Sequence, residues 1–362
     1  MTASAPPKDA AAAAGTTVQP GTMEPVFVLG RQHSGNTMLT TLLGRVPSVL
    51  GITGEGGFFE VRQDLDKLPP AQRADRTARR IRDDGVRGYL RDPDTPGDMG
   101  MWKEVIPALK RAAAQGATAT QLYVLGLQHV LDRTGHERWA QKATSYIFLA
   151  DDVLEAFPRA RLVYLVRNPL DLAASTQKRT GTALHTVRLA AGWSRGVKRA
   201  LRLRASRPES LFLLRYEDLV REPEVSVERL CAFCDLPYSP AYLDIPHVNK
   251  SDTPYNRESR QRGLSASRVF YYRDTLSAAE EAAVRLAVDS SSLAALYPEL
   301  DAPEKAAGRT TVRASSLLCA SAARLVAEEG RGLVSAPSRG LRRVYNRVAV
   351  RRRRVTADER DP

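Results

Sequence analysis

The stretch VFVLGRQHSGNTML, Val26 to Leu39, passes from an apolar run through a loop of Gly, Arg, Gln, His and Ser into helix formers. Val26 to Leu29 is short and rich in β-branched residues, which predicts a buried strand. A helix is expected to open at Asn36 or Thr37. In such a strand-loop-helix turn, successive backbone N–H groups converge on one point, and the helix N-terminus adds unsatisfied donors and the positive end of its dipole. The expectation is an anion site. Gly30 and Gly35 let the main chain approach a phosphate closely, while Arg31, Ser34, Asn36 and Thr37 carry hydrogen-bond donors. A nucleoside triphosphatase loop spells G-x-x-x-x-G-K-[ST], with lysine on the terminal phosphates and a hydroxyl on magnesium. Here the two glycines keep that spacing, but Asn36 stands in the lysine position. The loop therefore reads as a holder of an anion that arrives without magnesium-phosphate machinery. An ordinary glycine-containing turn is the plain alternative.

Working outward, VLGITGEGGFFE places a second short strand at Val49 to Ile52, delivering Glu55 to a glycine-rich loop. Its GEGG does not spell a dinucleotide fingerprint. Residues 60 to 135 read as mostly helical. RWAQKATSY ends a strand at about Lys142, followed by a helix from Tyr146 to Phe157, a strand from Arg161 to Val166 and another turn into a helix. A further helix is expected from Ala183 to Ala205, and SLFLLR, Ser210 to Arg215, is a third clear strand. Strands alternating with helices predict a three-layer α/β fold with a parallel sheet, whose ligands bind at the carboxyl ends of the strands. No internal repeat occurs.

The bulk properties narrow the partners. Formal net charge is +13 over 362 residues. Ten arginines against three acidic residues from Arg331 onward carry seven of those charges, so the remaining body is mildly basic. That suits an anionic small molecule, and no motif with aromatic stacking positions points to nucleic acid. Cys231 and Cys234 form a CxxC inside an expected helix that starts at Pro223, where core packing outweighs redox or metal roles. The five histidines show no metal-ligand spacing. Residues 1–24 read as a disordered tail without a secretory signal.

Three segments together resemble the sulfotransferases that use 3′-phosphoadenosine 5′-phosphosulfate (PAPS). They are GRQHSGNTML, YLVRNPLDLAAS, and LLRYEDLVREPEVSVERLCAFCDLP, in that order and with family-like spacing over about Pro25 to Pro298. The branch they resemble is bacterial, similar to the tyrosylprotein and carbohydrate sulfotransferases. The resemblance implies a P-loop-like phosphosulfate-binding loop at Arg31, His33, Ser34, Gly35, Asn36 and Thr37. It implies that Arg167 and Ser175 grip the 3′-phosphate and that Ser267 and Arg268, with Ser265 close behind, belong to a late segment closing over the nucleotide. Lys142 matches a lysine that stabilises the bridging oxygen, and Glu55 resembles a glutamate that acts as base. Tyr216 and Glu217 are more structural, with Tyr216 packing near the nucleotide. Three positions depart from the pattern: His33 where Arg or Lys is common, Asn36-Thr37 where Thr-Thr is common, and Asn168 where Asp is common. His33 stays open as a rival base to Glu55.

The implied organisation is a tail over 1–24, a sulfotransferase domain over 25–302 and a basic helical extension over 303–362. The implied reaction is sulfonyl transfer from PAPS, with no metal, to a hydroxyl or amine of a small molecule, glycan or lipid. A kinase-like P-loop phosphotransferase and a non-catalytic relative that binds the bisphosphate product are the rivals. Leu341, Val344, Tyr345 and Val348 recur at i, i+3, i+4 and i+7, with Arg342, Arg343 and Arg347 opposite and Arg351 to Arg354 following. Such a segment suits peripheral contact with an anionic membrane surface, and a solvated basic tail is its plain alternative. The expected location is cytoplasmic, at most peripheral at the inner membrane surface.

Overall fold

A computed structural model describes residues 20–82, 101–246, 262–300 and 308–335. The membrane-surface segment expected at Leu341 to Arg354 and the first nineteen residues lie outside the described residues. By compactness the chain divides into two units: one holds the residues up to Val166 and Arg199–Ala266, the other holds Arg167–Lys198 and the residues from Ser267.

The first unit is built on five parallel strands, β1 (Val26–Leu29), β2 (Val49–Ile52), β3 (Arg138–Lys142), β4 (Arg161–Val166) and β5 (Leu211–Arg215). They lie in the order β2-β3-β1-β4-β5. All four residues of β1 are fully buried, as a central strand covered on both faces must be. From β1 the chain runs to β2 on one side, and from β4 it runs to β5 on the other. The order of winding thus reverses between β1 and β4, where open α/β sheets bind their ligands. Register places Lys142 beside Val28, so the end of β3 adjoins the exit of β1.

Aromatic side chains fill the space under the β1 exit. Phe27, Phe59, Tyr146 and Phe157 form a contact cluster with ring centroids 5.3 to 6.5 Å apart, and Phe58 stacks on Tyr123 at 4.1 Å. Each such side chain contributes about 1.5–3 kcal/mol by leaving water. The helices expected between residues 60 and 135 are present at Phe58–Asp66, Pro70–Arg80, Met101–Ala114 and Ala119–Thr134. The expected Tyr146 to Phe157 helix is different: it begins as a 3₁₀ turn, Tyr146–Leu149, before Ala150–Ala156 continues as α-helix. Two i→i+3 bonds, from the Tyr146 and Phe148 amides, tighten it where it leaves the sheet.

Pro20–Thr22 is a 3₁₀ turn, Met23 is buried, and Glu24 pairs with Arg138 and Arg159. Cys231 and Cys234 pack into the core on and just past the Pro223–Phe233 helix, where burial pushes their thiols up to about 11 and about 12.

The second unit contains the Pro169–Thr180 helix, the part of the Thr186–Ser206 helix up to Lys198, and the helices Ala278–Ala287, Ser290–Leu296 and Gly308–Ser335. Trp193 and Tyr297 are buried at its centre, and the Trp193 indole N–H donates to the Arg167 carbonyl at 2.9 Å. The Gly308–Ser335 helix docks through Ser321, whose hydroxyl accepts from the Val187 amide and donates to the Leu184 carbonyl. That long helix groups with residues 167–198 in this unit.

Candidate active site

The loop between β1 and the Asn36–Leu43 helix is shaped by its glycines. Gly30 adopts φ 141°, and a Cβ there would stand 2.3 Å from the Leu165 carbonyl oxygen. Gly35 is the helix N-cap at φ 101°, with the Tyr216 ring 3.1 Å from where its Cβ would be. His33 also lies in the left-handed region, at φ 71°, an uncommon state for a residue with a side chain. Between them the Ser34 amide donates to the Arg31 carbonyl at 3.2 Å and closes a tight turn.

Asn36, expected to offer donors to an anion, spends its side-chain amide on the loop itself. Its Nδ2 donates to the carbonyls of Gly30 and Arg31 at 3.2 and 3.0 Å. The residue in the lysine position thus braces the backbone. No side chain caps the helix, so its first-turn amides are not taken by an N-cap group. Ser34 is fully buried, and its hydroxyl has no partner among the described residues. A buried hydroxyl without a partner costs about 1–3 kcal/mol unless something else accepts or donates to it. Arg31 is half-buried beside Tyr164, whose phenol burial pushes above its usual value while the arginine charge opposes that shift.

Glu55 lies in the loop after β2 and is held by the residues at and after the end of β3. Its Oε1 accepts from the Thr144 amide at 2.7 Å and from the Thr144 hydroxyl at 2.6 Å. Its Oε2 lies 3.5 Å from the Lys142 ammonium. The Gly56 amide donates to the Lys142 carbonyl at 2.7 Å, pinning the two loops together. One residue further along, the Ser145 hydroxyl donates to Glu60 at 2.5 Å, and the Tyr146 hydroxyl accepts from the Phe59 amide. The structure therefore brings together the carboxylate and the lysine that the sequence singled out, 87 positions apart. Thr144, which was not singled out, orients the carboxylate. The only sequence signal for it was a hydroxyl two residues beyond the lysine.

Tyr216 opens the helix after β5 and is buried against the loop at Gly35, with the adjoining Glu217 fully buried. Tyr216 thereby packs against the turn into the helix.

In the second unit Arg167 is only 6% exposed, and its Nη2 donates to the Arg268 carbonyl at 2.7 Å. Arg167 and Arg268 each stand 5.6 Å from the centre of the Tyr271 ring. Ser175 is half-buried on the Pro169–Thr180 helix, and Ser267 is exposed in the 3₁₀ turn Ala266–Arg268. Ser265, which belongs to the first unit, is half-buried. Asn168 caps the helix, its side chain accepting from the Asp171 amide.

A family model described as the sulfotransferase family matches residues 25–240. The chain belongs to the sulfotransferase family. A protein of Aquifex aeolicus (strain VF5), described as uncharacterized, is 25% identical to this sulfotransferase-family chain over 262 residues, 69% of the chain and 30% of that protein. The chain thus spans less than a third of that relative's length. Among solved structures, the sulfotransferase domain from the Synechococcus PCC 7002 olefin synthase is 17% identical, with a TM-score of 0.45 and coverage of 72% of this chain and 92% of that one. The sulfotransferase domain from the curacin biosynthetic pathway is 18% identical, with a TM-score of 0.41 and coverage of 82% and 97%. In this family member no group of three or more His, Cys, Asp or Glu side chains suited to a metal ion occurs among the described residues, and no described helix is long and apolar enough to cross a membrane.

Proposed function

We propose that this chain transfers a sulfonyl group from PAPS to a hydroxyl or amine of an acceptor that is a small molecule, a glycan or a lipid. The observation that carries the reading is the pairing of Lys142 with Glu55 next to an anion loop whose lysine position holds a bracing asparagine. The loop fits a phosphosulfate: the buried Ser34 hydroxyl lacks a partner among the described residues, and no N-cap side chain covers the helix start.

In this reading Arg31, His33, Ser34, Gly35 and Thr37 surround the phosphosulfate, with Asn36 holding their backbone in shape. Glu55 takes the proton of the acceptor hydroxyl as its oxygen attacks sulfur in line. The new O–S bond forms while the bond from sulfur to the bridging oxygen breaks. The bisphosphate product leaves with that electron pair, and the Lys142 ammonium meets the charge that builds on the bridging oxygen. Thr144 keeps Oε1 of Glu55 occupied, leaving Oε2 as the basic atom once Lys142 turns to the nucleotide. Arg167 and Ser175 hold the 3′-phosphate, and Ser267 and Arg268 border it.

The test begins with calorimetry of 3′-phosphoadenosine 5′-phosphate (PAP) against ATP, with and without magnesium. Preference for PAP independent of magnesium supports the reading, and magnesium-dependent preference for ATP replaces it with the phosphotransferase. Transfer of labelled sulfate from PAPS to a metabolite extract then separates an enzyme from a non-catalytic relative. Glu55→Gln is expected to lower transfer by about 10²- to 10⁴-fold with nucleotide affinity kept, as for loss of a general base. If that variant retains turnover while His33→Ala loses it and still binds nucleotide, the base is His33.

A further inference from the structure

Asp171 has no exposed surface, although it is a carboxylate three residues into a helix. Burying such a group costs several kcal/mol unless its lone pairs are satisfied, and apolar packing of the same volume is often the more stable solution. Its placement is therefore better explained by what it holds than by stability. Oδ2 accepts from the Asn168 side-chain amide at 2.8 Å and from the Phe270 amide at 2.9 Å, and lies 3.8 Å from Arg167 Nη2. Oδ1 accepts from the Tyr272 amide at 3.0 Å. Burial pushes this carboxyl up from its usual range, while Arg167 and the amide donors oppose that shift.

The two backbone donors come from a turn some hundred residues further along the chain. Phe270, the first of the two donors, is left-handed, at φ 59°, a conformation that strains an aromatic residue. That twist brings the amides of residues 270 and 272 onto one acceptor. The same turn carries Arg268, whose carbonyl receives the Arg167 guanidinium, and Tyr271, whose ring both arginines face. Asp171 also shares a helix face with Ser175, four residues on.

We propose that Asp171 is a positioning residue, locking the Arg167 turn and the 268–272 turn together so that both guanidinium groups present one rigid grip on a phosphate dianion. The inference rests on the PAPS reading, in which that dianion is the 3′-phosphate.

The experiment measures the affinity of the full chain for PAP and for adenosine 5′-phosphate, which lacks only the 3′-phosphate. Folding is checked by circular dichroism. The wild type is expected to prefer PAP by roughly a hundredfold. Asp171→Asn, matched in shape but without the charge, is expected to lose about tenfold of that preference while its affinity for adenosine 5′-phosphate stays within about twofold. A merely structural role would weaken both nucleotides in parallel, and that result overturns the inference, as does an unchanged preference. Should the asparagine variant fail to fold, Asp171→Glu keeps the charge and displaces it by one methylene. It is expected to show the same selective loss, and full retention of the preference overturns the inference. A wild type that fails to distinguish the two nucleotides overturns the 3′-phosphate reading and this inference with it. A wild type that distinguishes them, with variants that do so equally well, overturns only the role of Asp171.

Discussion

The Gly30–Thr37 loop and the turn that opens at Arg167 each follow a strand in the chain, yet they are made of opposite materials. The loop is main chain: two glycines in conformations closed to other residues, an uncapped helix start and an asparagine that braces carbonyls. The Arg167 turn is side chain: two arginines around one ring, tied down by a buried carboxylate that also holds a distant turn. Backbone amides are supplied by every residue except proline, so the loop is expected to tolerate changes in polar side chains other than the bracing Asn36 and to fail where a Cβ is added. Charged side chains have many rotamers, so the Arg167 turn needs a network to hold them and fails where a side chain is truncated.

The largest effect that sharpens this contrast is expected from Gly30→Ala. The new methyl would meet the Leu165 carbonyl oxygen at 2.3 Å in a backbone conformation that L side chains rarely adopt. The expected loss is about 4 kcal/mol or more in denaturant unfolding, with nucleotide binding lost in any folded fraction. A variant with wild-type stability would break the main-chain account of the loop.

Arg167→Ala comes next, with an expected loss of about 2 to 4 kcal/mol in PAP affinity measured by calorimetry, the order for losing a charge-assisted contact to phosphate. Unchanged affinity in the folded variant would remove Arg167 from the 3′-phosphate. Ser34→Ala should be the mildest. Among the described residues its hydroxyl makes no bond, so the variant is expected to unfold no more easily than the wild type, and up to about 1–3 kcal/mol less easily, while nucleotide affinity falls by about 1 kcal/mol. If Ser34→Ala proves as damaging to binding as Arg167→Ala, the division between a main-chain site and a side-chain site fails.

The two regions also differ in how far they could be read from the sequence. Gly30, Gly35 and the apolar run before them announce a strand-loop-helix turn because the constraint is local: φ beyond the reach of other residues, and amides adjacent in the chain. What Asn36 does was not legible. The sequence shows an amide where a lysine was looked for, but its bonds to the Gly30 and Arg31 carbonyls depend on the loop's curl. The Arg167 turn showed its arginine, its proline and its helix, yet nothing local marks Asp171. Its partners, Phe270 and Tyr272, are 99 and 101 residues away.

By itself the sequence determined the strands and the strand-loop-helix turn after the first of them. Each follows from forces acting within one turn or one strand: side-chain period, glycine freedom and helix-end donors. Only the tertiary structure decided that Thr144 would orient Glu55, that Lys142 would stand beside that carboxylate, and that Asp171 would join two turns. Those contacts depend on the order of strands in the sheet and on which polar groups are buried together. The cost of leaving such a group unpaired is paid only when distant segments meet.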